Sequence, residues 1–314
     1  MEYRRLGSSG LKISRIALGG WTTFGGSVTD EALARSIIEL AIDGGVNFFD
    51  QADIYAKGES EKLMGKILLD QNRNNLVISS KCYWNMSEDP NDRGLSRKHI
   101  MQSVDGSLKR LGTDYLDLYF CHRYDLDTPL EETVNAMSDL VRMGKILYWG
   151  TSEWTGQQIE AAVVLAKENG LVAPVVEQPH YSLAFRDRVE KEIIPTTTKH
   201  GIGLVVWSPL GMGVLTGKFD AGEVSGSRLT ETKIGQELYT PQIIEKVRTL
   251  KPIADDLGIT RTALALAWVL RTQAVSSAIV GATKPEQLAE SLAAKDLVLE
   301  SAVIEKLDSI FAVA

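Results

Sequence analysis

Short apolar runs rich in β-branched and aromatic residues alternate along this chain with longer stretches whose apolar positions recur every three to four residues. The first kind of run reads as a buried strand and the second as an amphipathic helix. Strand-like runs fall at residues 15–20, 46–50, 76–81, 115–122, 146–152, 174–178, 203–209 and 276–281. Helical stretches follow at 30–44, 59–69, 96–111, 130–143, 156–169, 188–200, 241–257, 261–271 and 285–294. Thr29-Asp30 and Ser96 stand where N-caps belong, and Pro129, Pro241 and Pro285 sit near first turns. Parallel strands need cover on both faces, so closing eight such units into a ring is the economical solution. The expected fold is α/β: a (β/α)8 TIM barrel with an N-terminal β-hairpin and extra C-terminal helices, residues 1–314 forming one domain. The hairpin is predicted from residues 3–6 and 11–14, which flank Gly7-Ser8-Ser9-Gly10, and it is placed to plug the barrel floor. Between Pro209 and Pro241 no helical period is visible, and the stretch reads as a long Gly-rich loop.

Composition narrows the setting more than the chemistry. With 44% hydrophobic and 24% charged residues over 314 positions, the chain can bury a sizeable core. A formal net charge of -7 argues against a surface built for nucleic acid. Two cysteines, Cys82 and Cys121, are too few for a disulfide scaffold, and strand alternation aims both away from the barrel axis, as core thiols. Neither an apolar leader at the N-terminus nor a membrane-length apolar run is present in the sequence, so a cytoplasmic protein without membrane insertion is expected.

In such a barrel the working face is formed by the C-terminal tips of the strands. The second run ends in Asp50, the third in Lys81 and the fourth in His122. Isolated buried charge is unfavourable, so these three side chains are expected to meet in one pocket. Tyr55, five residues past Asp50, returns over the same place. An ordinary phenol, with a pKa near ~10, is a poor acid at neutrality, and a neighbouring Lys81 ammonium is expected to lower it. Asp50 then pairs with Lys81, while His122 orients a carbonyl oxygen. Each residue alone reads as an ordinary cap or packing residue; the joint placement carries the inference of an acid for carbonyl chemistry. Trp21, Phe24, Trp84 and Trp154 fall at or just past strand tips and are the expected aromatic wall of a substrate pocket.

No Gly-x-Gly-x-x-Gly follows the first strand, so a Rossmann site is not expected. The segment Gly211-Met212-Gly213-Val214-Leu215-Thr216-Gly217-Lys218 only partly imitates a P-loop, with Met212 and Phe219 at the discriminating positions. Its glycines would still let backbone N–H groups approach a pyrophosphate. The four histidines have no metal-ligand spacing, and no metal is expected.

At Phe48-Phe49-Asp50-Gln51-Ala52-Asp53-Ile54-Tyr55, Lys81 and Tyr119-Phe120-Cys121-His122 the chain resembles the aldo-keto reductases. Tyr3-Arg4-Arg5-Leu6-Gly7, Thr23-Phe24-Gly25-Gly26, residues 93–100 (Arg-Gly-Leu-Ser-Arg-Lys-His-Ile), Pro129-Leu130-Glu131-Glu132-Thr133 and Tyr148-Trp149-Gly150-Thr151-Ser152 point to the branch containing the β-subunits of voltage-gated potassium channels. The resemblance implies NADP(H)-dependent reduction of a small carbonyl substrate, with Tyr55 as acid, Asp50 and Lys81 supporting it and His122 in the substrate pocket. It implies Gly20, Trp21 and Asp50 beside the cofactor, Ser152 and Gln178 on the carboxamide, and Trp207 stacked on the nicotinamide. Ser208, Pro209, Leu210, Gly211 and Gly213 would line the pyrophosphate, with Lys218 and Arg228 as phosphate clamps. Gly281, Thr283, Gln287, Glu290 and Ser291 would hold the adenosine end, and Lys284 with Arg228 would favour NADP over NAD. The chain departs from the pattern at Gln51, where Thr or Ser is usual, and at Glu153, which puts one cofactor contact in question. Channel subunits of this branch carry Asn where this chain has His122. A homotetramer is a further implication. A cofactor-holding, channel-associated or redox-sensing protein with little turnover remains the alternative reading.

Overall fold

The computed structural model describes residues 1–222 and 233–312. Two short strands, β1 (Tyr3–Arg5) and β2 (Lys12–Ser14), pair antiparallel as the expected hairpin. The barrel follows: β3 (Ile16–Gly19), β4 (Phe48–Asp50), β5 (Val77–Cys82), β6 (Leu116–Cys121), β7 (Ile146–Ser152), β8 (Val176–Gln178), β9 (Gly203–Trp207) and β10 (Val275–Val280). All neighbours pair parallel, and β10 returns to β3 to close the ring. Apart from the start of β7, where Leu147 is exposed, the strands are buried on both faces, which is why the apolar runs were continuous rather than alternating.

The closed ring separates two cores. Inside it pack Ala17, Phe48, Val77, Leu118, Phe120, Val176, Val205 and Ile279, capped below by Leu6 and Ile13 of the hairpin. The larger core lies between barrel and helices and contains both cysteine side chains. The hairpin is tied in through its turn. Gly7 has φ +56°, and a Cβ there would come within 2.3 Å of the Gly201 carbonyl. Arg4 adds donors to the carbonyls of Leu270 (2.9 Å), Thr272 (3.0 Å) and Val275 (2.7 Å).

The helices start where short polar side chains take up free backbone N–H groups. Asp30 accepts from Leu33 N at 2.7 Å, and Ser96 from His99 N at 3.2 Å. Two stretches depart from the periodicity. Within 188–200 the chain makes a widened turn, Val189–Ile193, before the helix Ile194–His200, because Pro195 cannot donate the N–H that an α-helical turn needs. The stretch read as one long loop contains a tight turn, Gly211–Thr216, and a short helix, Lys233–Leu238. A final helix, Ser301–Ile310, supplies one of the additional C-terminal helices. No helix among the described residues is long and apolar enough to cross a membrane.

Candidate active site

The strand tips open into a cleft of about 1120 Å³, above the range of roughly 300–1,000 Å³ of ordinary small-molecule sites. Asp50, Tyr55, Lys81 and His122 converge at its floor. The backbone after β4 turns sharply: Asp53 N donates to Lys81 O (3.3 Å) and Tyr55 N to Ala52 O (3.1 Å). Ala56 and Lys57 follow in the left-handed region, at φ +48° and +52°. Such strain persists only where its surroundings hold it, and here it presents Tyr55 to the cleft.

Lys81 is fully buried, and its three protons are all taken. It donates to Asp50 Oδ2 (2.7 Å), to the Gln51 carbonyl (2.7 Å) and to the Tyr55 hydroxyl (3.1 Å). Asp50 also accepts from Ser79 Oγ (2.8 Å) and Gln178 Nε2 (3.0 Å) through Oδ1. Burial opposes the Lys81 charge, but Asp50 and the Tyr55 oxygen together hold its pKa above the ordinary lysine value. The expected lowering at Tyr55 is corrected by the structure. Burial raises its pKa by more than Lys81 depresses it, so the phenol keeps its proton. His122 is 7% exposed, and burial, with Lys81 and Arg123 adding to it, puts its pKa well below the usual imidazole range. It is therefore neutral, with its ring 6.0 Å from that of Tyr55.

Gln51, the departure beside Asp50, is buried away from the cleft with its side-chain amide against Met64 Sδ. Gly20 leaves room for that amide, since a Cβ would come within 2.2 Å of Gln51 Nε2; Gly19, not Gly20, borders the cleft. Glu153 also turns from the cleft, at φ +60°. Its Oε1 accepts from His180 N (2.6 Å) and Trp207 Nε1 (2.9 Å), and its Oε2 from Arg188 (2.7 Å). It fixes the Trp207 indole, whose face is stacked by His180 at 4.4 Å, with Phe185 stacked on His180 in turn at 4.4 Å. Trp21 meets Trp207 edge-on at 5.7 Å.

Along the remaining cleft wall lie Ser152, Gln178, Trp207, Ser208, Pro209, Leu210, Gly213 and Lys218, then Gly281, Thr283, Gln287, Glu290 and Ser291. Ser152 Oγ donates to the Gln178 carbonyl at 2.9 Å, and Thr283 and Gln287 are joined through Gln287 Oε1. Gly211 and Lys284 do not border the cleft; Lys284 caps the helix Pro285–Leu292 with an exposed side chain. Arg228 lies outside the described residues. The backbone N–H groups of Gly211, Met212 and Gly213 are already bonded, to Ser208 O, Ser208 Oγ and Leu210 O. Side chains, rather than that backbone, are thus available to a phosphate there.

Two aromatics expected on the substrate wall are elsewhere. Phe24 is 1% exposed in the outer core, because a tight turn, closed by Val28 N on Thr23 O (2.8 Å), folds it inward. Trp154 is wholly buried against Tyr124 at 4.8 Å, since the left-handed Glu153 swings the chain off the barrel rim. Trp21 and Trp84 do border the cleft. Residues to which the sequence gave no role in the site also contribute, among them Arg123, Arg261 and Thr262. Arg123 directly follows His122, so its place past a strand tip was a usable signal. Arg261 opens a helix capped by Thr260 and pairs with Asp220 at 2.7 Å, which periodicity does not reveal.

The whole chain has relatives. A protein of Arabidopsis thaliana described as a probable voltage-gated potassium channel subunit beta is 45% identical over 318 residues, spanning 99% of this chain and 96% of its own length. A protein of Oryza sativa subsp. japonica with the same description is 43% identical over 318 residues, again spanning 99% and 96%. Residues 15–312 match the model of the Aldo/keto reductase family, and this chain, with its closed barrel and its Asp50–Lys81–Tyr55 floor, belongs to that family.

Proposed function

We propose that this protein reduces aldehydes or ketones to alcohols with NADPH, with Tyr55 as the general acid. The observation that carries the reading is the direction of the hydrogen bond at Tyr55. Lys81 donates to the phenol oxygen at 3.1 Å, so the phenol's own proton is left for an acceptor in the cleft. Burial keeps that proton on Tyr55 until a stronger base than water lies beside it. Neutral His122 carries an N–H with which to hold the carbonyl oxygen. Asp50 keeps Lys81 charged and fixed.

A nicotinamide dinucleotide supplies the hydride when bound. The residues present fit it. Ser152 and Gln178 offer amide- and hydroxyl-type partners beside the floor, Trp207 offers a held aromatic face, and Lys218 and Arg261 bring cationic side chains to the cleft wall. Lys218, with Arg261 that also pairs with Asp220, favours the phosphorylated dinucleotide. Arg261 takes the part that the sequence suggested for Lys284, which does not border the cleft; Arg228 lies outside the described residues.

The test is loss of the nicotinamide absorbance band on mixing the protein, NADPH and 4-nitrobenzaldehyde. Tyr55→Phe is expected to reduce turnover by about 10²–10⁴-fold, the usual scale for a general acid, while NADPH still binds. Equal turnover in that variant refutes the mechanism. A second reading is supported by the relatives' descriptions: a cofactor-holding protein associated with a potassium channel. Stoichiometric NADPH binding with no aldehyde-dependent oxidation is the outcome that favours it.

A further inference from the structure

One cation bordering the cleft, Arg123, has no carboxylate within ion-pair distance among the described residues. Arg123 borders it together with Tyr55, His122, Trp84 and Trp21. Among the described arginines that are not exposed, Arg4, Arg15, Arg35, Arg73, Arg110, Arg186, Arg188, Arg261 and Arg271 each have a carboxylate within ion-pair distance. Arg123 is the exception, although carboxylates outnumber cations in the chain, 41 to 34. Among the described residues its hydrogen bond runs from Nη1 to the His122 carbonyl at 2.5 Å, and Nε and Nη2 donate to none of them. The guanidinium lies against the Trp84 ring, 5.5 Å from its centroid. That indole is itself 6.3 Å from the His122 ring.

Lys81 cannot serve a ligand's charge, because its three donors are already used. An arginine fork with open donors, set against the Trp84 ring, is suited to a carboxylate in two-point contact. From these observations we infer that the preferred substrates are carbonyl compounds bearing a carboxylate a few bonds from the carbonyl carbon, with Arg123 receiving the carboxylate while Tyr55 and His122 hold the carbonyl oxygen. This rests on the reduction proposed above. Arg123 is thereby the residue that sets substrate class.

The experiment compares 4-carboxybenzaldehyde with methyl 4-formylbenzoate, which differs only in that the acid is masked. The quantity read is the ratio of their kcat/KM values in the wild-type protein, in Arg123→Met and in Arg123→Lys. Equilibrium binding of 4-(hydroxymethyl)benzoate and of its methyl ester, followed by quenching of tryptophan fluorescence, provides the same ratio without turnover. We expect the wild-type protein to favour the acid and Arg123→Met to lose about tenfold or more of that preference, the scale of a charge-assisted hydrogen bond. Arg123→Lys should recover part of it, having the charge without the fork. Equal treatment of acid and ester by the wild-type protein, or losses in Arg123→Met that are the same for both, overturns the inference and leaves carbonyl reduction standing. A binding preference for the acid that disappears in Arg123→Met, with neither aldehyde turned over, upholds the anion site and refutes the reductase reading.

Discussion

Glu177 gives the chain a pH dependence that can be worked through from its surroundings. It lies in β8 with no exposed surface, one residue before the cleft-lining Gln178. Thr151 donates to its Oε2 at 2.5 Å. Burial, with Glu153 nearby, pushes its pKa from the ordinary 4.5 up to about 8. The folded protein therefore retains a proton between these values that the unfolded chain releases. Since folding then binds the extra proton, stability is fully present below pH 4.5 and falls as pH rises to about 8. At about 1.4 kcal/mol per pH unit, the contribution lost approaches roughly 5 kcal/mol. In Glu177→Gln this titration is absent. Its stability relative to wild type should rise steadily with pH, whatever fixed penalty the buried amide carries. Urea denaturation of both proteins at pH 5, 6.5 and 8 measures that difference. Two stability curves that run parallel across this interval refute a protonated Glu177 in the folded state.

Removing Lys81 as Lys81→Met leaves Asp50 buried without its counterion, and a loss of about 3–5 kcal/mol in denaturant stability is expected. A loss below about 1 kcal/mol would mean that Ser79 and Gln178 suffice to hold the Asp50 charge. Glu153→Ala removes the acceptor of the Trp207 indole and the partner of Arg188, so NADPH should bind about tenfold more weakly and energy transfer from tryptophan to NADPH should diminish. Unaltered transfer and affinity would assign Glu153 to packing alone.

The barrel was legible because its signal is a buried strand followed by an amphipathic helix, repeated eight times, and strand order then follows from closure. The floor was legible for a related reason. Asp50, Lys81 and His122 end three successive strands, and topology alone brings those tips together. What escaped the sequence depends on backbone angles between elements. Glu153 at φ +60° reverses the chain, so Trp154 enters the outer core and Glu153 itself grips Trp207 instead of a ligand. The turn from Thr23 to Val28 does the same to Phe24. The acidity of Tyr55 was misjudged in sign because residue identities supply the Lys81 charge but not the degree of burial that outweighs it.

The donors and acceptors at the cleft floor bear on the choice between turnover and mere cofactor holding. Asp50 accepts from Ser79, Lys81 and Gln178, and Lys81 donates to Asp50, Gln51 and Tyr55, so these two residues form a closed circuit with nothing left over. What remains unspent is the Tyr55 O–H and the N–H of a neutral His122, both on the cleft wall. A protein that only retained a dinucleotide would be served by phenylalanine at position 55 and an apolar residue at 122. On the proposed reading, two donors kept at one spot, with Lys81 buried to orient one of them, would serve a ligand atom on which negative charge develops, such as the oxygen of a carbonyl under reduction.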